Sequence, residues 1–187
     1  MSALIFAAVC AYAGTAVYAA LQNTPQSSLP TLAKSEGGEL RGIILRCEQS
    51  LTEAPSAEAG ARIPAGNFSS ESAIFMPDSD GYEHIAPADL DSLDSVKLKE
   101  LMQSPPEIGG GAKLIYGFDC YFAAFYKGES DIEPGPCCIR FEDDTEILRA
   151  EIVSVSRSEA DCVLLLRLML TEKLLQRRFC SAELIYN

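Results

Sequence analysis

The stretch that decides the fold runs from 113-KLIYGFDCYFAAFY-126 to 179-FCSAELIY-186. Apolar residues recur along it in short runs that are separated by turn-forming residues. Three further runs between its ends are typical of strands: Pro136 to Phe141, Glu146 to Ser156 and Cys162 to Leu170. Short strands joined by short turns predict a small closed barrel or a compact sandwich, with the first strand bent at Gly117. The chain is therefore expected to be mainly β.

Two of these strands are apolar on both faces. Ile152, Val153 and Val155 in one, and the run Leu164 to Met169 in the next, leave few positions for a wet face. A half-buried strand alternates apolar and polar residues, so this pattern predicts that both faces are covered. Asp143-Asp144 and Ser158 to Asp161 supply the turns around them.

The chain before this stretch is less regular. Leu40 to Glu48 is β-rich, and Phe68 to Met76 favours a second, weaker strand. Asp94 to Met102 is predicted to be one short helix, because Asp94 can accept first-turn amides and Leu98, Leu101 and Met102 lie on one face. Pro105-Pro106 would end that helix, and Gly109 to Gly111 marks a boundary.

Composition excludes several functions. The chain has 187 residues, 27 acidic against 15 basic side chains, and a net charge of −12. Such a balance argues against nucleic acid, because basic side chains must neutralise the phosphates. One histidine leaves little room for His-based metal or triad chemistry, and no nucleotide-binding, nucleophile-elbow or zinc-protease motif is present. We therefore predict no catalytic, cofactor-binding or metal-ligating residues and no cofactor.

The N-terminus is set apart by its lack of charge. Every charged residue lies at or beyond Lys34, and Ala3 to Leu21 is an uncharged, Ala-rich run. At about 1.5 Å per helical residue it would span roughly the 30 Å apolar core of a bilayer, which favours a single-span membrane helix. A cleavable signal peptide, with Val17-Tyr18-Ala19 as its cleavage site, is the first alternative, although no basic residue precedes the run. A buried helix of a soluble protein is the second.

These features predict four regions. Residues 1–22 are a transmembrane anchor, and residues 23–38, rich in Ser, Thr, Pro and Gly, are a stalk linker. Residues 39–111 are a mixed segment of β-strands and one short helix, and residues 112–187 are a small β-barrel domain.

Some chemically suggestive residues have an ordinary structural interpretation. The stretch Asp78 to Glu83 resembles a calcium loop, but its glycine and acids are wrongly spaced, so a turn is expected. His84 is expected to have a surface or capping role. The seven cysteines show no paired spacing and lie mostly in apolar runs, which predicts that they pack as small apolar residues: Cys10, Cys47, Cys120, Cys137, Cys138, Cys162 and Cys180.

Three parts of the chain together resemble the HlyD-like membrane-fusion (periplasmic adaptor) proteins of Gram-positive bacteria. Arg41 to Glu48 (RGIILRCE) is similar to the family's opening strand, and Asp80 to Glu83 with the leucine-marked helix after it resembles its "DGYE" segment. The third part looks like the family's barrel: Lys113-Leu114, Tyr121-Phe122 and Ile132 to Gly135 leading to Phe141. The long coiled-coil hairpin of such adaptors has no counterpart, because Ala54 to Gly66 is far too short to hold it.

The resemblance implies a cell-membrane protein with a single span and an extracytoplasmic body. Its expected function is that of a non-enzymatic adaptor assisting a transporter or a cell-envelope complex, in a minimal or truncated form. Two alternatives stay open: an anchored module that binds a small ligand or peptide, and an enzyme that uses Asp78, Asp80 and Glu83 or the Cys120 thiol.

Overall fold

The computed structural model describes residues 37–66, 68–85, 87–103, 111–128 and 131–185. All of them belong to one compact unit, Ser35–Asn187. The predicted anchor at 1–22 and almost all of the stalk at 23–38 lie outside the described residues. Within the described residues, no helix is both long enough and apolar enough to cross a bilayer.

The described residues are mainly β, as predicted. The strands are β1 (Gly38–Leu51), β2 (Arg62–Ile63), β3 (Ala73–Met76), β4 (Ala112–Lys127), β5 (Gly135–Phe141), β6 (Leu148–Arg157), β7 (Cys162–Met169) and β8 (Phe179–Ile185). The helices are α1 (Ser95–Gln103) and α2 (Glu172–Gln176), and a 3-10 helix covers Pro87–Ser92. The strands expected from sequence are all present, with ends that differ by a few residues.

Six of the strands close into a barrel. Their order is β1-β8-β5-β6-β7-β4, and β4 pairs again with β1, with every neighbouring pair antiparallel. Closure leaves no free strand edge around the ring, which protects it from edge-to-edge association. Barrel strands come from both predicted segments, because β1 lies within 39–111 except for its first residue, Gly38, and the other five lie within 112–187.

The barrel interior is filled with apolar side chains. Phe122 and Phe141 meet at 5.5 Å between ring centroids, and Leu164 and Leu166 of β7 point inward beside them, fully buried. Because alternate residues of a strand face the same side, their neighbours Val163 and Leu165 point outward. The interior is thus a packed core.

A second apolar layer covers part of the barrel's outer surface. Val163 and Leu165 of β7 and Ile43 of β1 are buried beneath Leu98 of α1 and Leu90 of the 3-10 helix. This confirms that β7 is covered on both faces over this stretch.

The same expectation is wrong for two residues. Val153 is 42% exposed and Met169 is 70% exposed, because the covering layer does not extend to them. Val153 also lies where β6 shifts register against β7.

Beyond the barrel, β1 and β4 continue side by side into a smaller sheet, which we call the extension. There β3 pairs with β4, and β2 pairs with β3. Its own small core contains Ala73, Phe75, Ala112 and Leu114.

The change from barrel to extension is marked by a break in the β1–β4 pairing. Leu45 pairs with Tyr121 and Cys47 pairs with Tyr116, so Arg46 alone faces the four intervening residues of β4. Gly117 within that excursion has a φ of +76°, a conformation that glycine adopts at little cost. The predicted bend at Gly117 is confirmed.

The helices differ from the prediction in number. Helix α1 begins as expected: the Asp94 carboxylate accepts the backbone N–H groups of Val96 at 3.0 Å and Lys97 at 2.9 Å. The prediction of one short helix was incomplete, because it missed α2. That helix is only five residues long, which is too short for an apolar period to show.

Candidate functional site at the neck

Six charged side chains meet where the extension leaves the barrel, and we call them the neck cluster: Arg46, Glu48, Asp80, Glu83, Lys113 and Arg178. Arg46 and Glu48 come from β1 beside the break in its pairing, and Lys113 comes from the facing part of β4. Three positive and three negative charges give the cluster no formal net charge. Burying them is costly unless each finds a partner of opposite charge.

Glu48 is the centre of the cluster. Its carboxylate is fully buried and accepts Nε of Arg46 at 2.5 Å. Lys113 Nζ donates to its other oxygen at 3.3 Å, and Arg178 Nη2 lies 2.9 and 2.8 Å from the two oxygens. One carboxylate therefore joins three cations from three parts of the chain.

Asp80 is the outer acid of the cluster, with a side chain that is 34% exposed. It accepts Nε of Arg178 at 2.9 Å and lies 2.9 Å from Lys113 Nζ. Partial burial alone would raise the pKa of Asp80, but the hydrogen bonds and positive charges of Lys113 and Arg178 lower it to about 2. The carboxylate is therefore ionised at any pH near neutrality.

Glu83 is held by the turn that carries Asp80. Its Oε1 accepts the backbone N–H of Asp80 at 2.9 Å and lies 3.5 Å from Lys113 Nζ. Burial would raise the pKa of Glu83, but bonds from the backbone amides of Asp80 and Glu83 itself lower it. Gly81 between them has a φ of +83°, so the turn predicted for this stretch is confirmed.

Arg46 also binds main-chain groups. Its Nη1 donates to the carbonyl oxygens of Leu174 at 2.7 Å, Leu175 at 2.8 Å and Arg177 at 3.2 Å. These carbonyls lie in the last turn of the short helix α2 or just after it, where a helix leaves its carbonyl oxygens without partners of its own. Burial and then the nearby charge of Arg178 lower the pKa of Arg46.

Arg178 joins β8 to β1 and to the turn. Its Nη1 donates to the Ile44 carbonyl at 2.7 Å, and its guanidinium lies 4.9 Å above the Tyr82 ring. The Tyr82 hydroxyl in turn donates to the Leu101 carbonyl of α1 at 2.8 Å. The neck cluster thereby fixes the barrel, the extension, α2 and the turn before α1 in one arrangement.

Carboxylate oxygens of Glu48, Asp80 and Glu83 lie within 4.8 Å of one another, close enough to hold a metal ion. Lys113 Nζ, however, contacts all three carboxylates, and the arginines satisfy much of what remains. A cation would have to displace these partners, so the donor set fits an internal ion network better than a metal site.

The structure brings together only some of the chemically suggestive residues. Asp80 and Glu83 join the neck cluster, whereas Asp78 does not. His84 lies at the surface, with Nδ1 2.8 Å from the Gly81 carbonyl oxygen. Burial raises the pKa of Cys120 to about 12, so its thiol is protonated at neutral pH.

The cysteines pack as predicted with one clear exception. Cys120 and Cys137 are buried, Cys138, Cys162 and Cys180 are partly buried, and all described cysteines are free. Cys47 is exposed, so its predicted packing role is wrong. Alternation explains this: Glu48 points into the neck cluster, so its neighbour points the other way. Cys10 lies outside the described residues.

Four members of the neck cluster were missed from sequence: Arg46, Glu48, Lys113 and Arg178. A usable signal existed, since charged residues within apolar strands are rarely buried unless paired. Arg46, Glu48 and Lys113 also lie in the stretches on which the adaptor resemblance rests, as do Asp80 and Glu83. Arg178 lies outside those stretches.

Comparisons of the chain with protein-family models, with curated proteins and with solved structures found no match. The resemblance to HlyD-like adaptors therefore stays a prediction.

Proposed function

We propose that this chain is a non-enzymatic adaptor, anchored in the cell membrane by residues 1–22 and assisting a transporter or a cell-envelope complex. Its body would lie outside the cytoplasm. The observation that carries the proposal is the neck cluster. Its buried charged groups form ion pairs with one another and hydrogen bonds with main-chain carbonyls. Such a cluster sets the geometry between the barrel and the extension, which is what a rigid connecting module requires.

Two further observations support a non-catalytic role. Three of the thiols are protonated near neutral pH, because burial raises the pKa of Cys120, Cys137 and Cys180 to about 12. Nucleophilic chemistry at cysteine needs the thiolate. The barrel interior is also packed with apolar side chains, whereas catalytic sites need polar groups that converge on a cleft.

The exposed Cys47 thiol provides a test of membrane topology. The full chain is produced in bacteria, and intact cells are treated with a maleimide reagent that cannot cross membranes. We expect labelling of the membrane-bound chain, and a strong decrease in the Cys47→Ser variant. Cys138→Ser serves as the matched control. That thiol is less exposed than the Cys47 thiol, so its removal should change the labelling less. Labelling that requires cell lysis would contradict an extracytoplasmic body.

The adaptor role itself is tested in the cell that makes the protein. A photo-crosslinking residue replaces Phe118, which is 73% exposed, or Val96, which is 61% exposed on α1. We expect cross-links to a multi-span membrane protein from at least one position, and their loss when residues 1–21 are replaced by a cleavable secretion signal. A chain that cross-links to no membrane protein, or equally with and without residues 1–21, would contradict the proposal.

A groove beside α1 favours the second candidate, an anchored module that binds a small ligand or peptide. It has a volume of about 490 Å³, and its lining includes Ile85, Leu90, Leu93, Leu101 and Lys97. This combination of apolar walls and a few polar groups is typical of ligand sites. The larger side chain of Leu93→Trp would fill the groove. If this variant loses its transport or cell-envelope function but still gives normal cross-links to a membrane protein, the result would favour this candidate.

A further inference from the structure

The two edges of the extension differ in how they are protected. One edge is β2, which has only two residues, includes Arg62 and is followed by Pro64. Short edge strands, charged side chains and proline are the usual means of preventing another strand from pairing. The other edge is Cys47–Leu51 of β1, a segment of five residues without proline.

Cys47–Leu51 has a strand neighbour on one side only. On that side it pairs with β4, from Cys47 opposite Tyr116 to Leu51 opposite Ala112. On the other side, β8 pairs with β1 only from Gly38 to Ile43. Within the described parts of the chain, no strand follows β8 along this side of β1.

The edge is also accessible, and a side-chain hydrogen bond joins it to β4. Cys47, Gln49 and Ser50 are exposed, and the one charged side chain of the segment, Glu48, is turned into the neck cluster. The Tyr116 hydroxyl donates to Gln49 Oε1 at 2.7 Å, which ties the edge to β4. Alternate residues of a strand direct their N–H and C=O groups to opposite sides, so part of this backbone faces outward with no strand to bind.

An acidic side chain follows the edge. Glu53 lies two residues after Leu51. Its carboxylate is exposed, and no described cation forms an ion pair with it.

We propose that the Cys47–Leu51 edge accepts an extended segment of a partner protein as an added strand, and that a basic residue at one end of that segment lies beside Glu53. Main-chain hydrogen bonds would supply the pairing, and Glu53 with the acidic character of the chain would select the basic residue. A second copy of this chain fits less well, because each copy has a net charge of −12 and would bring its own Glu53 to the contact. The inference deepens the adaptor proposal and rests on it only for the partner's identity.

The test uses the purified full chain in detergent and a fluorescent peptide, Lys-Thr-Val-Thr-Val-Thr-Lys, as the probe. One control peptide carries N-methyl groups on alternate amides along one edge, a second carries them along the other edge, and a third has Glu in place of both Lys. We expect saturable binding of the probe, at least about tenfold weaker binding for one methylated peptide and for the Glu-flanked peptide, and slower amide exchange at Cys47–Leu51.

Charge reversal tests this selection. The variant Glu53→Lys should shift the preference of the chain toward the Glu-flanked peptide. The matched control, Glu159→Lys, changes an exposed acid elsewhere and should keep the original preference. Amide exchange across the barrel reports that each variant is folded.

Three outcomes would overturn the inference. The first is that the probe does not bind at millimolar concentration. The second is that the probe and both methylated peptides bind equally well. The third is that the peptide slows amide exchange only at residues other than 47–51. Edge protection that appears without peptide and rises with protein concentration would assign the edge to a second copy, which contradicts the proposed occupant. Because these measurements need no membrane partner, their failure is separable from failure of the cross-linking test.

Discussion

The barrel interior and the neck cluster are two buried regions of contrasting composition, because the first is made of apolar side chains and the second of charged ones. The interior consists of side chains such as Phe122 and Leu166, which need only to exclude water and fill space. The neck consists of charges that must each find a partner at a defined position, because an unpaired buried charge is strongly unfavourable. The interior can therefore supply most of the stability, whereas the neck supplies geometry.

The difference follows from directionality. Apolar contacts tolerate small shifts, so a barrel lined with leucines could hold the extension at several angles. The three cations around Glu48 come from β1, β4 and the residue before β8, so a shift of any of these elements would lengthen a contact to the carboxylate. Four predictions test this division of roles.

The largest effect is expected from Glu48→Gln. The amide keeps the shape of the side chain but leaves Arg46, Lys113 and Arg178 facing two acids in a buried site. Breaking a buried ion pair from one side costs about 3–5 kcal/mol of unfolding free energy, measured by urea denaturation. A loss under about 1 kcal/mol would mean that water reaches the neck and that the cluster is not a buried network.

Leu166→Ala tests the other side of the comparison. Leu166 is fully buried in the barrel, so the variant should lose about 2–5 kcal/mol of unfolding free energy through lost contacts and a residual cavity. Leu166 has no ionisable group, so the variant should leave the acid dependence of stability unchanged. It is therefore compared with the wild-type chain by urea denaturation at pH 7 and at pH 3, and a changed acid dependence would argue against separate roles.

These two variants also show how far sequence reasoning reached. Leu166 could be placed in the core because β7 is apolar at consecutive positions and lies in a regular series of strands. The neck cluster could not be assembled in this way, because Glu48 and Arg178 are 130 positions apart and only the closed topology brings them together. Periodicity reports which side of a strand is buried, but it does not report which distant charge lies opposite.

The third prediction concerns acid. The pKa of Asp80 is lowered to about 2 in the folded chain, against about 3.9 when unfolded, so the unfolded state binds a proton first as the pH falls. The stability that Asp80 contributes is complete above about pH 4 and is lost as the pH falls through 2. Because the side chain is about one-third exposed, solvent screening reduces this contribution to about 1–2 kcal/mol.

Asp80→Asn should remove that part of the acid dependence, together with the stabilisation at neutral pH. The measurement is unfolding free energy from pH 6 to pH 2 for both proteins, with Asp78→Asn as the neighbouring control. If unfolding free energy depends on pH in the same way in the wild-type chain and in Asp80→Asn, the arginine and lysine around Asp80 do not hold its carboxylate as described.

The smallest effect is expected from Glu151→Gln, which removes an ion pair of the same chemistry in a different setting. Glu151 binds Arg167 on the outside of the barrel, and both side chains are about half exposed, at 49% and 48%. Water already solvates both charges, so the pair should contribute far less than the contacts of Glu48, and salt should weaken it. The measurement is urea denaturation at 20 mM and 500 mM salt, beside Glu48→Gln. The loss at Glu48 should change little with salt, because its partners are shielded from solvent. If the two variants lose equal stability or respond equally to salt, burial does not distinguish the neck from an ordinary surface pair, and its proposed role in fixing the extension fails with it.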